Sequence, residues 1–221
     1  MYGTFVKPLF DFVFALLFTI LLFPIYTVIY LLLLTGRTDD PLFFQSRPGK
    51  DNKIFNIVKF KTMTDGKNAQ GELLPDDDRV TPLGAFLRRT SLDELPQLLS
   101  VLNGDMSIVG PRPLRVRYLP YYSSREALRH TVKPGITGLA QVSGRNSLSW
   151  DKRLEMDASY VEKMGFVLDC KIILKTFIKV FDSSGIEFSD EPDSLDEYRC
   201  GKQWKVSGKK DGGNPEDTGL S

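Results

Sequence analysis

The sequence predicts a mainly helical α/β chain with a small β component, in which an N-terminal membrane segment precedes one compact domain. Three observations carry this. Residues 12–34 form an uncharged run of 23 residues. Beyond it the patterns are short and helical, and strand-type alternation is confined to residues 53–63. Near the end, residues 166–182 set lysines at four-residue intervals into an apolar stretch.

The 221 residues leave room for one domain and its appendages. Lys and Arg total 29 against 28 Asp and Glu, and a net charge of +1 argues against a general nucleic-acid binder. The charge is uneven, however. Residues 47–61 hold five basic side chains and one Asp, and Arg112, Arg115 and Arg117 cluster, as do Arg125 and Arg129. A locally basic face suits an anionic ligand or anionic headgroups, and an ordinary solvated surface gives the same pattern. Cys170 and Cys200 are far apart and lack metal spacing, which excludes a disulfide framework and a zinc site and fits a reducing compartment. The single histidine, His130, has no ligand partners at metal spacing and reads as structural or surface.

At about 1.5 Å per residue, residues 12–34 as a helix reach roughly 34 Å, enough to cross a bilayer. The run is too long for a signal-peptide core, and no small-x-small cleavage pattern follows it. Pro24 lies near its middle, removing one helical N–H and crowding the carbonyl of Ile20, so a kink or break is expected. Two topologies fit: a kinked spanning helix, or a re-entrant hairpin that leaves by the leaflet it entered. Lys7 and Arg37 flank the run and do not decide between them.

Between residues 39 and 166 there is no repeat, heptad or low-complexity tract. Residues 53–63 read as one strand or two short ones, and residues 66–78 as a turn-rich loop. Residues 83–89 and 95–102 read as short helices, residues 118–130 as containing another, and residues 148–163 as a longer one. Residues 132–147, with three glycines and a proline, read as turns and short extended pieces. In residues 166–182 the stripe Lys171, Lys175 and Lys179 among Leu168, Ile172, Ile173, Phe177, Ile178 and Phe181 describes either an interfacial helix with snorkelling lysines or a core helix with a charged outer face. Residues 201–221 are polar and Gly- and Lys-rich, of the composition that stays disordered.

No dinucleotide-binding glycine motif, Walker loop or serine nucleophile elbow is present, so the chemistry falls to carboxylates and basic groups. The pair Asp93-Glu94 stands between Arg88-Arg89 and Arg112. Ser91 followed by Glu94 matches a capping box, and a helix start explains the pair structurally. Pro96 disturbs that reading, since the helix must kink there or begin later. The functional reading uses the same place in the chain. An ionised carboxylate near a helix N-terminus can attack phosphorus or bind magnesium, while guanidinium groups neutralise phosphate oxygens.

Five ordered motifs sharpen this: RPG (residues 47–49), KFKTM (59–63), RRTSLDELPQL (88–98), NGDMSIVGPRPL (103–114) and PGITGLAQVSGRN (134–146). Together they closely resemble the bacterial sugar transferases known as monotopic phosphoglycosyl transferases, nearest to the small bacillosamine-phosphate-transferase-like members. The resemblance covers residues 5–181. It implies transfer of a sugar-1-phosphate from a UDP-sugar to polyprenyl (undecaprenyl) phosphate. UMP is released, a covalent phosphosugar-aspartate forms, and Mg2+ is required. It implies Asp93 as nucleophile and Glu94 as its partner, both toward the metal. It implies Lys59, Arg88, Arg112 and Arg145 as phosphate-binding groups and Asp169 as an acid of the substrate site. It also implies a re-entrant helix broken at Pro24, both ends cytoplasmic, at the bacterial inner (cytoplasmic) membrane. Many members carry Ser before this proline; here Phe23 stands there, with Thr19 and Thr27 nearby.

The expected division is thus a re-entrant helix over 1–36, a cytoplasmic catalytic domain with an interfacial helix over 37–183, and a polar, partly disordered tail over 184–221. The expected partners are a UDP-sugar, polyprenyl phosphate and membrane lipid, and an exposed membrane helix face allows a homodimer. Two other readings use the same residues. One is a catalytically inactive membrane-anchored binding or scaffold protein, with Asp93-Glu94 serving only as a capping box. The other is a magnesium-dependent phosphohydrolase that hands the sugar phosphate to water.

Overall fold

The computed structural model describes residues 2–35, 40–144, 148–181 and 194–207. Its helices dominate, with two two-stranded sheets among the described residues. A π-helical turn, Tyr2–Val6, leads into helix α1, Lys7–Leu34. Helical backbone continues through Pro24, the expected place of a kink or break. One turn beyond, the Thr27 hydroxyl donates to the Phe23 carbonyl at 3.0 Å, while the Thr19 hydroxyl has no partner among the described residues. Polar side chains that serve freed or strained backbone groups are what a proline needs in an apolar medium.

Helix α1 is long and apolar enough to cross a membrane. It does not stand apart from the domain. Near its N-terminus, Lys7, Asp11 and Ala15 are buried; near its C-terminus, Ile29 and Leu33 are buried against Phe60 and Leu87. The Tyr26 hydroxyl donates to the Leu95 carbonyl at 2.5 Å. Both ends of the helix therefore lie on the same body. The other face, including Phe12, Leu17, Ile20, Leu21 and Phe23, is exposed, far more apolar surface than water tolerates on a monomer.

Strands β1, Leu42–Pro48, and β2, Ile54–Phe60, form an antiparallel hairpin in the register Leu42↔Phe60, Phe43↔Lys59 to Pro48↔Ile54. β2 lies where alternation predicts it. β1 was not expected, because LFFQSRP lacks alternation and merges into the basic stretch. Asp51 and Asn52 turn the hairpin with positive φ of 54° and 60°, a conformation that Asp and Asn accept more readily than most side chains.

After the short α2, Asp76–Arg79, helix α3 runs Pro82–Thr90. Thr81 caps it, its hydroxyl accepting from Gly84 N at 2.9 Å, and Pro82 sits in the first turn. Gly84 has no room for a side chain, since a Cβ would lie 2.0 Å from the Thr62 carbonyl oxygen. Helix α4 spans Gln97–Leu102 and packs along α1. Strand β3, Ser107–Val109, pairs in parallel with β4, Gly135–Thr137, one of the short extended pieces expected over residues 132–147. The expected helix around residues 118–130 is instead two 3-10 turns, Val116–Tyr121 and Glu126–Thr131. Pro120 inside the first lacks the N–H that an α-helix would use.

Helix α5, Leu139–Ser143, precedes α6, Trp150–Lys163, which Ser149 caps, and α7, Phe166–Phe181. α7 buries Ile172 while Leu174, Phe177 and Ile178 are exposed beside exposed Lys171 and Lys175. A core helix would not leave three large apolar side chains outside. Helix α8, Leu195–Ser207, falls in the segment expected to be polar and partly disordered. Its Leu195 is fully buried with Leu114, Tyr118, Trp150 and Leu154, and Arg199 pairs with Glu126 and Asp151. The main core lies between α1, α4, α6, α7 and the small parallel sheet, gathering Ala15, Leu98, Val101, Met106, Tyr160 and Ile172.

Candidate active site

Helix α3 stops at Thr90 because Ser91 takes a left-handed conformation, φ 57°. The chain then makes one 3-10 turn, Leu92–Glu94, anchored by Leu92 against the cluster that holds Phe60 and Leu87. Helix α4 begins only after Pro96, so the proline falls at the cap and not inside. The expected capping box does not form. Ser91 makes no side-chain cap bond, and the Glu94 carboxylate turns the other way.

Glu94 Oε1 accepts from Lys59 Nζ at 2.7 Å and from Arg112 Nη2 at 2.6 Å, and Oε2 from Arg112 Nη1 at 3.3 Å. Lys59 comes from β2, and Arg112 from the segment after β3. Three separate parts of the chain thus meet on one carboxylate. The two cations hold the Glu94 carboxyl well below the usual range, against the opposing effect of its burial. Asp93 is in the opposite situation. It is 9% exposed, and among the described residues its carboxylate makes no hydrogen bond or ion pair. Burial, followed by the charge of Glu94, pushes it up to about 6 in spite of Lys59, Arg112 and Arg88.

Arg88 belongs to this group by its field on Asp93. Its Nε donates to Thr62 Oγ1 at 2.9 Å, the contact that the close approach of Gly84 to Thr62 permits. The remaining guanidinium nitrogens of a residue held this way are suited to phosphate oxygens. Lys59, Arg88, Asp93, Glu94 and Arg112 are therefore brought together. Arg145 lies outside the described residues. Asp169 makes its contacts elsewhere: Tyr2 OH and Lys7 Nζ each donate to Oδ2 at 2.6 Å, and Tyr160 OH donates to Oδ1 at 2.8 Å. It fastens the start of α1 to α6 and α7. Asp11 does the same toward β3, accepting from Ser107 Oγ at 2.7 Å and Ile108 N at 3.1 Å.

Two supports were not picked out in the sequence. Thr62 carries no signal beyond its place in KFKTM. Arg129, grouped with Arg125 as surface charge, is 2% exposed. It pairs with buried Asp157 at 3.0 Å and donates to the Arg112 carbonyl at 2.5 Å and to Tyr122 OH at 2.9 Å. Arg125 is the surface residue, paired with Glu155 and Glu162. No spacing rule separates the two arginines. His130, beside Arg129, packs edge-on against Tyr122, and burial pushes it down to about 4, so it is a neutral structural residue at neutral pH.

Among the described residues no group of three or more His, Cys, Asp or Glu side chains could cage a metal. Asp93 has the carboxylate of the pair that could bind a hydrated magnesium ion, which needs only one or two carboxylates, whereas both Glu94 oxygens are taken by Lys59 and Arg112. The chemistry this arrangement allows is attack by an oxygen nucleophile on a phosphorus whose charge is balanced by Lys59, Arg88 and Arg112.

Comparison with known proteins identifies the family. A sugar transferase of Bacillus subtilis (strain 168) described as uncharacterized, EpsL, is 53% identical over 152 residues, covering 68% of this chain and 75% of that protein. The exopolysaccharide production protein ExoY of Sinorhizobium fredii (strain NBRC 101917 / NGR234) is 36% identical over 196 residues, 81% of this chain and 87% of that one. The UDP-glucose:undecaprenyl-phosphate glucose-1-phosphate transferase of Klebsiella pneumoniae is 42% identical over 185 residues, 79% of this chain. The match spans 40% of that relative's length. The family model described as bacterial sugar transferase matches residues 2–183, and the chain belongs to that family.

Proposed function

We propose that this protein transfers a sugar-1-phosphate from a UDP-sugar to undecaprenyl phosphate, releasing UMP, as the initiating step of a membrane glycoconjugate. The observation that carries the reading is the contrast between two neighbours: Glu94 is clamped by Lys59 and Arg112, while Asp93 is left without a partner among the same cations. The names of relatives support it, since the Klebsiella pneumoniae and Escherichia coli proteins are named for glucose-1-phosphate transfer to undecaprenyl phosphate.

In this mechanism an Asp93 oxygen bonds to the β-phosphorus of the donor as the bond from that phosphorus to the bridging oxygen breaks. UMP leaves with the electron pair. An oxygen of the lipid phosphate then bonds to the same phosphorus, and the bond to Asp93 breaks, restoring the carboxylate. Lys59, Arg88 and Arg112 hold phosphate oxygens, and Glu94 fixes the positions of Lys59 and Arg112. Mg2+, held by Asp93 with the diphosphate, would supply charge neutralisation at the reacting phosphorus.

For membrane attachment, the reading is that α1 enters and leaves by the cytoplasmic leaflet and α7 lies at the interface. The contacts of both ends of α1 with one body, and the exposed Leu174, Phe177 and Ile178 beside lysines, support it. The inactive-scaffold reading needs Asp93-Glu94 to act as a capping box, and that box is absent. The test is UMP release from a panel of UDP-sugars with Mg2+ and undecaprenyl phosphate, comparing the wild type with Asp93→Asn. Lipid-linked product from one sugar, lost in the folded variant, supports the mechanism. Free sugar phosphate in place of lipid product would assign the protein to hydrolysis instead.

A further inference from the structure

Helix α8, residues 195–207, lies beyond residues 2–183, which the family model matches. It docks on the part of the domain that carries Arg112. Leu195 is fully buried in one apolar cluster with Leu114, Tyr118, Trp150 and Leu154, and Tyr122 and Tyr198 pack against that cluster. Pro113 alone stands between Leu114 and Arg112. It fixes its own φ and restricts Arg112, the residue before it, to extended backbone. Pro111 is fixed in the same way on the other side. Few soft torsions therefore separate buried Leu114 from the base of the Arg112 side chain.

The polar contacts of α8 fall on the second support of Arg112. Arg199 pairs with Asp151 at 3.1 Å and with Glu126, which shares the 3-10 turn Glu126–Thr131 with Arg129. Tyr198 OH donates to Asp151 Oδ2 at 2.9 Å. Asp151 lies in the first turn of α6, the helix that carries Asp157. Arg199 thus ties together the two segments whose buried pair, Arg129–Asp157, stands behind the Arg112 carbonyl. Tyr122, whose hydroxyl accepts from Arg129 at 2.9 Å, packs on the cluster that holds Leu195.

We propose that α8 is the positioning element for Arg112, with Leu195 its positioning residue. Burial of Leu195 in the cluster of Leu114 and Tyr118 sets the backbone from which the guanidinium reaches the donor's phosphate, while Glu94 holds the guanidinium end. The inference rests on the proposed phosphate-binding role of Arg112 and adds what sets its place. Misplacing a binding group by about 1 Å through a remote change can cost as much as 100-fold in rate.

The experiment uses the full chain in lipid nanodiscs and reads UMP release from the UDP-sugar that the wild type accepts. Leu195→Ala removes the buried side chain and lets the cluster shift. The expected result is a KM for the UDP-sugar raised about 10-fold with kcat changed less than about 3-fold, because a displaced phosphate contact is lost from ground state and transition state alike. Leu195→Met keeps the volume and should recover most of the loss. The deciding readout is a double-mutant cycle: once Arg112→Gln has removed the guanidinium, Leu195→Ala should cost no further kcat/KM. Equal losses in both backgrounds would make α8 a general support of the fold and overturn the proposal, as would an unchanged KM in Leu195→Ala. If Arg112→Gln turns over too slowly, the same cycle is read as dissociation constants for UDP by equilibrium dialysis, with the same two outcomes. If Leu195→Ala is unfolded at the assay temperature, Arg199→Gln takes its place in the cycle, since it breaks the ties to Glu126 and Asp151 from a partly exposed position. A wild type that releases no UMP from any UDP-sugar would sink the proposed function and this role with it, an outcome distinct from normal release that Leu195→Ala leaves unaltered.

Discussion

Glu94 and Asp93 are adjacent in sequence and opposite in electrostatic circumstance. Glu94 takes Lys59 at 2.7 Å and Arg112 at 2.6 Å on one oxygen, whereas Asp93, buried beside it, has neither. A carboxylate satisfied by two cations is a fixed counter-ion. A carboxylate left buried without a partner is costly in its charged form, and its reactivity is the evident return.

Neutralising the two residues should therefore change stability in opposite directions. The folded-state pKa of Asp93 is raised to about 6, so its stabilising contribution is fully present below the unfolded value of 3.8 and is lost as pH rises through about 6. At pH 8 its charge is a liability, and Asp93→Asn should raise Tm there, with a smaller gain at pH 5. The pKa of Glu94 is depressed, so its contribution is present above the unfolded value of 4.5 and is lost only in strong acid. Glu94→Gln should lower stability at neutral pH by about 1–2 kcal/mol, a figure reduced by the partial exposure of Arg112. Thermal melts of both variants in nanodiscs across this pH range check the signs.

The pH profile of the first half-reaction follows from the same group. Asp93 must be ionised to attack phosphorus, so kcat/KM for UMP release should fall toward acid with a midpoint near 6, the value of the free enzyme. A profile flat down to pH 5 would show that Asp93 is not the titrating nucleophile.

Asp157→Asn tests the brace behind Arg112. It leaves Arg129 buried without its counter-charge, and Arg129 holds the Arg112 carbonyl at 2.5 Å. Breaking a buried pair from one side costs about 3–5 kcal/mol. Denaturation should show a loss of that order, and UMP release at a permissive temperature should fall as Arg112 shifts. An exposed pair such as Arg125–Glu155 should give less than about 1 kcal/mol when broken.

Gly84→Ala tests how α3 positions Arg88. Its Cβ would fall 2.0 Å from the Thr62 carbonyl oxygen, and this is backbone that cannot turn aside. Helix α3 must back away, taking Arg88 from Thr62 Oγ1. A stability loss of about 1–3 kcal/mol is expected. It should come with a raised KM for the UDP-sugar, measured at a temperature where the variant is folded.

Much was legible in the sequence because it rests on local properties. The uncharged run at residues 12–34 predicts an apolar helix by composition alone, and β2, α3, α4, α6 and α7 follow from periodicity, with Pro96 as a breaker before α4. The motifs were enough to single out Lys59, Arg88, Asp93, Glu94 and Arg112. Strand β1 and the parallel pairing of β3 with β4 were not legible, since a strand's existence depends on a partner that sequence spacing does not name. Nor was the docking of α8, whose buried Leu195 lies in a polar segment.

The division within the site is physical. Residue types and order by themselves put an acidic pair next to basic residues and left a helix cap and a reactive site both open; the resemblance of the motifs to a known family turned that into an expected shared site. Which carboxylate is clamped and which is left bare was decided only in three dimensions. Lys59 from a hairpin and Arg112 from the segment after a parallel strand both reach Glu94 and not Asp93. The same holds for Arg129, whose charge is plain in the sequence and whose burial is not. Charge is a property of a residue; its pKa and its work depend on what the fold packs around it.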